Sequence, residues 1–135
     1  MSVGILLITH AGLGSALLRI ATDIFGTCPA RAEALDVAND TPCDQVLAEA
    51  ERRAGQLDEG DGVLVLTDLY GATPANQAVA LLGRRDRIRV LAGVNLPMLL
   101  RALSYASLDL DALADKAYDG GRDGVRRCTP PPGEA

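Results

Sequence analysis

The sequence predicts an α/β fold: a doubly wound, mainly parallel sheet of strand order 2-1-3-4 with helices on both faces. Three observations carry this. Short apolar runs alternate with stretches of helical periodicity along the chain, the signature of strand–helix–strand units around a parallel sheet. The runs Val3-Gly4-Ile5-Leu6-Leu7-Ile8 and Val63-Leu64-Val65-Leu66 show no polar alternation, as expected of strands covered on both faces. The 135 residues are 48% hydrophobic and only 3% aromatic, which suits one domain with an aliphatic core. Right-handed crossovers leave few topologies, and 2-1-3-4 is the common small one.

The elements follow in order. The first strand is expected at about residues 3–9 and the first helix at about 12–25, where Leu13, Ala16, Leu17, Ile20, Ala21 and Ile24 form one apolar stripe and Gly26 is a stop. A second strand is expected at about 31–37. Thr41-Pro42 then reads as a helix start, with Thr41 as the cap, Pro42 as the first helical residue and Asp44 in the first turn. That helix, about 42–56, is expected to bury Cys43, Val46, Leu47, Ala50, Ala54 and Leu57. Glu59-Gly60-Asp61-Gly62 is a turn, residues 63–67 a third strand and 68–72 a loop. Thr73-Pro74 repeats the cap-plus-proline signature and opens a helix over about 74–82, stopped by Gly83. The fourth strand is expected at about 88–94, with helices at about 97–105 and 110–118. Residues 119–128 are read as a hairpin-like turn and one short strand, which closes the domain at 128. The proline-rich 129–135 is read as a disordered tail.

Composition removes several function classes. The net charge is -5 with no Lys/Arg-rich run, which argues against nucleic acid or an anionic membrane as partner. Arg84-Arg85-Asp86-Arg87 reads as a solvated helix end rather than a phosphate site. Cys28, Cys43 and Cys128 are odd in number, widely spaced and without a C-x-x-C pair. A zinc site or disulfide framework is therefore not expected, and three reduced thiols are. The opening apolar run is too short for a signal-peptide core or a membrane span, so a cytoplasmic chain is expected.

The chemistry centres on His10, the single histidine. It falls where a buried strand should end and a glycine-containing turn should open a helix, the edge at which open α/β sheets bind ligands. Strand 1 ends Leu7-Ile8-Thr9-His10 and strand 3 ends Val65-Leu66-Thr67-Asp68. In the order 2-1-3-4 these ends are neighbours, so His10 and Asp68 should meet. A carboxylate that accepts one ring N–H fixes the tautomer and leaves the other nitrogen free as nucleophile or base. Gly12, Leu13 and Gly14 would bring main-chain amides and a positive helix end close to an anion. Thr73 offers a hydroxyl at a second helix start, although capping would compete for it. Neither loop holds Lys or Arg, so charge stabilisation must come from backbone dipoles and hydroxyls. Each signal is weak alone; their convergence marks a site for phosphoryl or acyl chemistry.

These residues resemble a known family. Gly4-Ile5-Leu6-Leu7-Ile8-Thr9-His10-Ala11-Gly12-Leu13-Gly14 is similar to the opening of the mannose-family enzyme IIA domain of the phosphoenolpyruvate-dependent sugar phosphotransferase system (PTS). Leu66-Thr67-Asp68-Leu69-Tyr70-Gly71-Ala72-Thr73-Pro74-Ala75-Asn76 resembles its second motif, and Gly93-Val94-Asn95-Leu96-Pro97-Met98-Leu99-Leu100 its third. The resemblance implies a phosphocarrier without metal or bound cofactor. The residue matching His10 would accept a phosphoryl group from the phosphohistidine of the carrier HPr and pass it to a IIB partner. The residue matching Asp68 would orient the imidazole, and the hydroxyl matching Thr73, with nearby amides, would contact the phosphoryl group. It also implies a C-terminal antiparallel strand, here 124–128, exchanged between two subunits of a homodimer. Ala11 and Ala72 stand where many members have Gly, with little loss expected because both are small. Larger members continue into a IIB domain. This sequence contains none, so a separate acceptor or a regulatory role is implied, with membrane permease contact only through partners.

Other readings fit less well. A signalling receiver phosphorylated on Asp68 would need an acidic pair after strand 1, where Thr9-His10-Ala11 stands. A histidine phosphatase would want an arginine where Thr9 is. The phosphocarrier subunit of dihydroxyacetone kinase shares the fold, but the third motif and the Gly12-Leu13-Gly14 loop favour the mannose family. A regulatory module that displays phospho-His10 without onward transfer remains the alternative to a transport carrier.

Overall fold

The computed structural model describes residues 2–133. Four strands, β1 (Gly4–His10), β2 (Ala32–Val37), β3 (Val63–Thr67) and β4 (Ile88–Ala92), form one parallel sheet of order β2-β1-β3-β4. The α-helices are α1 (Leu13–Phe25), α2 (Cys43–Leu57), α3 (Thr73–Ala80), α4 (Leu96–Ser104) and α5 (Leu110–Asp123), and a short 3-10 turn, Leu81–Gly83, extends α3. The expected fold class and strand order are those found.

The sheet separates two apolar layers, and strand alternation decides which residue serves which. Ile5, Leu7, Leu64 and Leu66 pack against α1, α4 and α5. Leu6, Ile8, Val63, Val65 and Ile88 pack against α2, α3 and the 3-10 turn. Every residue of β3 and all of β1 except His10 are buried, which is why neither strand carries polar alternation.

Several expectations need correction. The α1 stripe is only partly covered: Ala21 is buried, whereas Leu13, Ile20 and Ile24 are exposed. Thr41 does not cap α2; the N-cap position is Pro42, and the helix begins at Cys43, which is exposed rather than buried. Strand β4 stops at Ala92 because Gly93 turns the chain at φ 88°, although Val94 still donates to the Thr67 carbonyl at 3.0 Å. The basic cluster near 84–87 needs no correction: it follows the 3-10 turn, is largely exposed, and is paired, Arg84 with Glu51 at 3.5 Å and Arg85 and Arg87 with Asp58.

The largest difference lies at the C-terminal end. The predicted turn at 119–123 is instead the last part of α5. The two glycines that suggested a turn are a packing device. A β-carbon on Gly120 would lie 2.3 Å from Arg101 Cγ, and one on Gly121 2.7 Å from Met98 Cε, so their absence lets α5 close on α4. Asn95 ties the pair together: it caps α4 by accepting from Met98 N–H at 2.9 Å and donates to the Gly121 carbonyl at 3.0 Å. Residues 125–128 form no strand within the chain. Of the expected tail, residues 134 and 135 lie outside the described residues.

Candidate functional site

His10 is the last residue of β1, paired with Val37 of β2. By alternation its side chain follows Leu6 and Ile8 onto the face covered by α2 and α3. Ile8 pairs with Thr67, the last residue of β3, so the next residue, Asp68, arrives beside His10. One oxygen, Asp68 Oδ2, accepts the His10 ring Nδ1–H at 2.8 Å and the His10 main-chain N–H at 3.0 Å. The other, Oδ1, accepts the Leu69 N–H at 2.9 Å.

Burial by itself would raise the Asp68 carboxyl. The hydrogen bonds from the His10 ring, the His10 amide and the Leu69 amide outweigh it and hold the group below the usual carboxylate range. An ionised carboxylate can only accept, so the proton of a neutral imidazole sits on Nδ1 and Nε2 keeps its lone pair. The His10 side chain is 43% exposed and that of Asp68 10%. The ring can be reached, while the group that orients it is shielded.

Beside His10 is a cavity of about 220 Å³, lined on one side by Thr73 and Pro74 and on the other by Asn39 and Thr41 of the β2–α2 loop and by Cys43, the first residue of α2. Helix α3 begins at Thr73 with Ala72 as its N-cap, and no side chain caps it. The competition expected for the Thr73 hydroxyl is therefore absent. Ala72 has φ -81°, an ordinary conformation that needs no glycine.

The first turn of α1 is more occupied than its sequence suggests. Gly12 takes φ 92°, which lets α1 start three residues after His10. The Gly14 amide, however, donates to Thr9 Oγ1 at 2.8 Å. The Ser15 amide and hydroxyl both donate to the Asp36 carboxylate, at 3.3 and 2.6 Å. Of the three residues expected to hold an anion, Gly12 and Leu13 keep N–H groups without a partner among the described residues, and none of the three lines the cavity.

Sequence reading passed over Thr9. It is fully buried, and its hydroxyl donates to the His10 carbonyl at 2.9 Å while accepting from Gly14. His10 is thus held at its N–H by Asp68 and at its C=O by Thr9. The available signal was a lone hydroxyl closing an otherwise apolar strand. Elsewhere, a larger open groove of about 500 Å³ between α4 and the end of α5 is lined by no imidazole–carboxylate pair.

Residues 4–118 match the family described as EIIA-man, PTS system fructose IIA component. The chain belongs to this family. Among solved structures similar to it, the mannose/sorbose-specific IIA subunit from Enterococcus faecalis superposes with a TM-score of 0.87 at 26% identity, covering 97% of this chain and 98% of that one. The EIIA component from Streptococcus agalactiae gives 0.81 at 26% identity, covering 94% and 97%. The PTS system mannose-specific EIIAB component of Escherichia coli K12 is 29% identical over 128 residues, which is 93% of this chain and 39% of that protein. The chain thus spans well under half of that relative. Among the described residues, no helix is long and apolar enough to cross a membrane.

Proposed function

We propose that this EIIA-man member is a phosphocarrier that takes a phosphoryl group from phospho-HPr onto His10 Nε2 and hands it to a IIB partner. The observation that carries the reading is the Nδ1–Asp68 hydrogen bond, which leaves Nε2 free of that contact on a half-exposed ring beside an open cavity. In transfer, Nε2 forms the new N–P bond as the donor's N–P bond breaks and the donor imidazole leaves with its electron pair. The imidazolium that results on His10 is stabilised by Asp68. The transition state is loose, so positioning and charge stabilisation do most of the work. Thr73 and the free amides of Gly12 and Leu13 are the neutral donors available to the phosphoryl oxygens; Gly14 acts through Thr9 instead.

The surroundings suit a protein partner. Leu13, Leu69 and Tyr70, all adjacent in sequence to the site, are 41%, 62% and 83% exposed, an apolar rim of the kind that marks an interaction surface. A homodimer completes the proposal, with residues 124–128 of each copy pairing along the free edge of β4 in the other. Its place is the cytoplasm, where such carriers relay phosphoryl groups between soluble proteins.

The test is incubation with phosphoenolpyruvate, enzyme I and HPr, read by intact mass. The expected product is one acid-labile, alkali-stable phosphoryl group that is absent in His10→Ala. An acid-stable product, or labelling that survives the substitution, would sink the reading.

A further inference from the structure

We propose that Thr41, on the wall of the cavity facing Thr73, is a second hydroxyl contact to the phosphoryl group carried by His10; this rests on the phosphocarrier reading above. Val37, the partner of His10 in the sheet, ends β2, and Ala11 N–H donates to its carbonyl at 3.0 Å. The chain that follows Val37 is therefore anchored beside the nucleophile. The Thr41 amide donates back to the Ala38 carbonyl at 3.1 Å, which folds the loop into a turn. Thr41 is half-buried and lines the same cavity as His10 and Thr73.

The hydroxyl is available. The sequence suggested that it caps α2, but Pro42 holds the N-cap position and no side chain caps that helix. Among the described residues it has no hydrogen-bond partner in the unphosphorylated chain. The demand for it is also specific. A phosphoryl group brings anionic oxygens to a cavity lined by no Lys or Arg, and the α1 amides of Gly14 and Ser15 are already taken by Thr9 and Asp36. Hydroxyls on opposite walls can donate to different phosphoryl oxygens. Thr41 forms no covalent bond and moves no proton off the protein; it donates one hydrogen bond that exists only when His10 is phosphorylated. Asn39 lines the same wall but is exposed, so water competes more strongly for its amide.

The consequence is a shift in the transfer equilibrium. A hydrogen bond to a charged acceptor contributes enough to change an equilibrium constant roughly tenfold or more. The experiment measures the ratio of phospho-His10 to phospho-HPr at equilibrium for the wild-type chain and for Thr41→Val, Thr41→Ala and Thr41→Ser. The expected result is a roughly tenfold lower ratio in Thr41→Val and Thr41→Ala, recovery in Thr41→Ser, and thermal midpoints of the unphosphorylated variants near wild type. Wild-type ratios in both Thr41→Val and Thr41→Ala overturn the assignment, as does a deficit that Thr41→Ser shares. A wild-type chain that takes no label from phospho-HPr overturns the phosphocarrier reading itself and is distinguishable because the control fails first.

Discussion

Asp68 Oδ2 holds His10 twice, through the ring Nδ1–H at 2.8 Å and the main-chain N–H at 3.0 Å. One oxygen therefore sets both the ring tautomer and the backbone position of the proposed nucleophile. Asp68→Asn should keep the fold and slow phosphorylation by phospho-HPr by at least about tenfold, since a neutral amide cannot stabilise the imidazolium and can present its own donors to Nδ1. Rapid-quench initial rates, with circular dichroism as the fold control, check this; an unchanged rate removes the orienting role.

The same pair makes stability depend on pH. The folded-state pKa of Asp68 lies below its ordinary range of about 4. Its contribution is thus complete above the unfolded-state value and is lost as pH falls through the lower folded-state value. Urea midpoints from neutral pH to about pH 3 should show wild type and Asp68→Asn converging toward the acid end. A gap that stays constant with pH would contradict the shift.

Thr9→Val should destabilise the chain by about 1–3 kcal/mol, because it leaves the Gly14 N–H buried without its acceptor. Thr9→Ser keeps the oxygen and should recover most of the loss. Denaturant unfolding of the three proteins decides it, and equal midpoints would show that Gly14 finds another partner.

Gly121→Val should loosen the contact between α4 and α5. The first added carbon already meets Met98 Cε at 2.7 Å and Met98 Cβ at 3.1 Å, and overpacking of this kind costs about 1–3 kcal/mol. The thermal midpoint should fall by several degrees while phosphorylation at permissive temperature is retained.

A chain ending at Asp123 lacks the segment proposed to pair with β4 of a second copy. Light scattering over a dilution series should show a dimer for the full chain and a monomer, or a much weaker dimer, for the shortened one. A full chain that is monomeric at every concentration removes the exchanged strand.

Most of the fold was legible because its signals are local. Unbroken apolar runs marked β1 and β3, and proline followed by helical periodicity marked the starts of α2 and α3. Failures came where a local signal had two physical uses. Gly120-Gly121 reads as a turn by composition, yet here it removes side chains that would collide with Arg101 and Met98. Thr41 and Thr73 read as caps because threonine before proline commonly is one, yet neither caps its helix. Helical periodicity placed Ile20 and Ile24 on the apolar stripe of α1, but among the described residues both are exposed.

The sequence by itself determined the α/β class, the strand order and the pairing of His10 with Asp68, because matching strand ends in a parallel sheet are brought together by topology alone. The tertiary structure decided which donors remain free. Gly14 looks available in a linear reading, but Thr9, buried at the strand end, accepts its N–H, and Asp36, from the neighbouring strand, takes the N–H and hydroxyl of Ser15 beside it. Thr41 and Thr73 look committed to capping but face the cavity beside His10. A residue type states what a group can donate; only the packed chain shows whether another group has already accepted it.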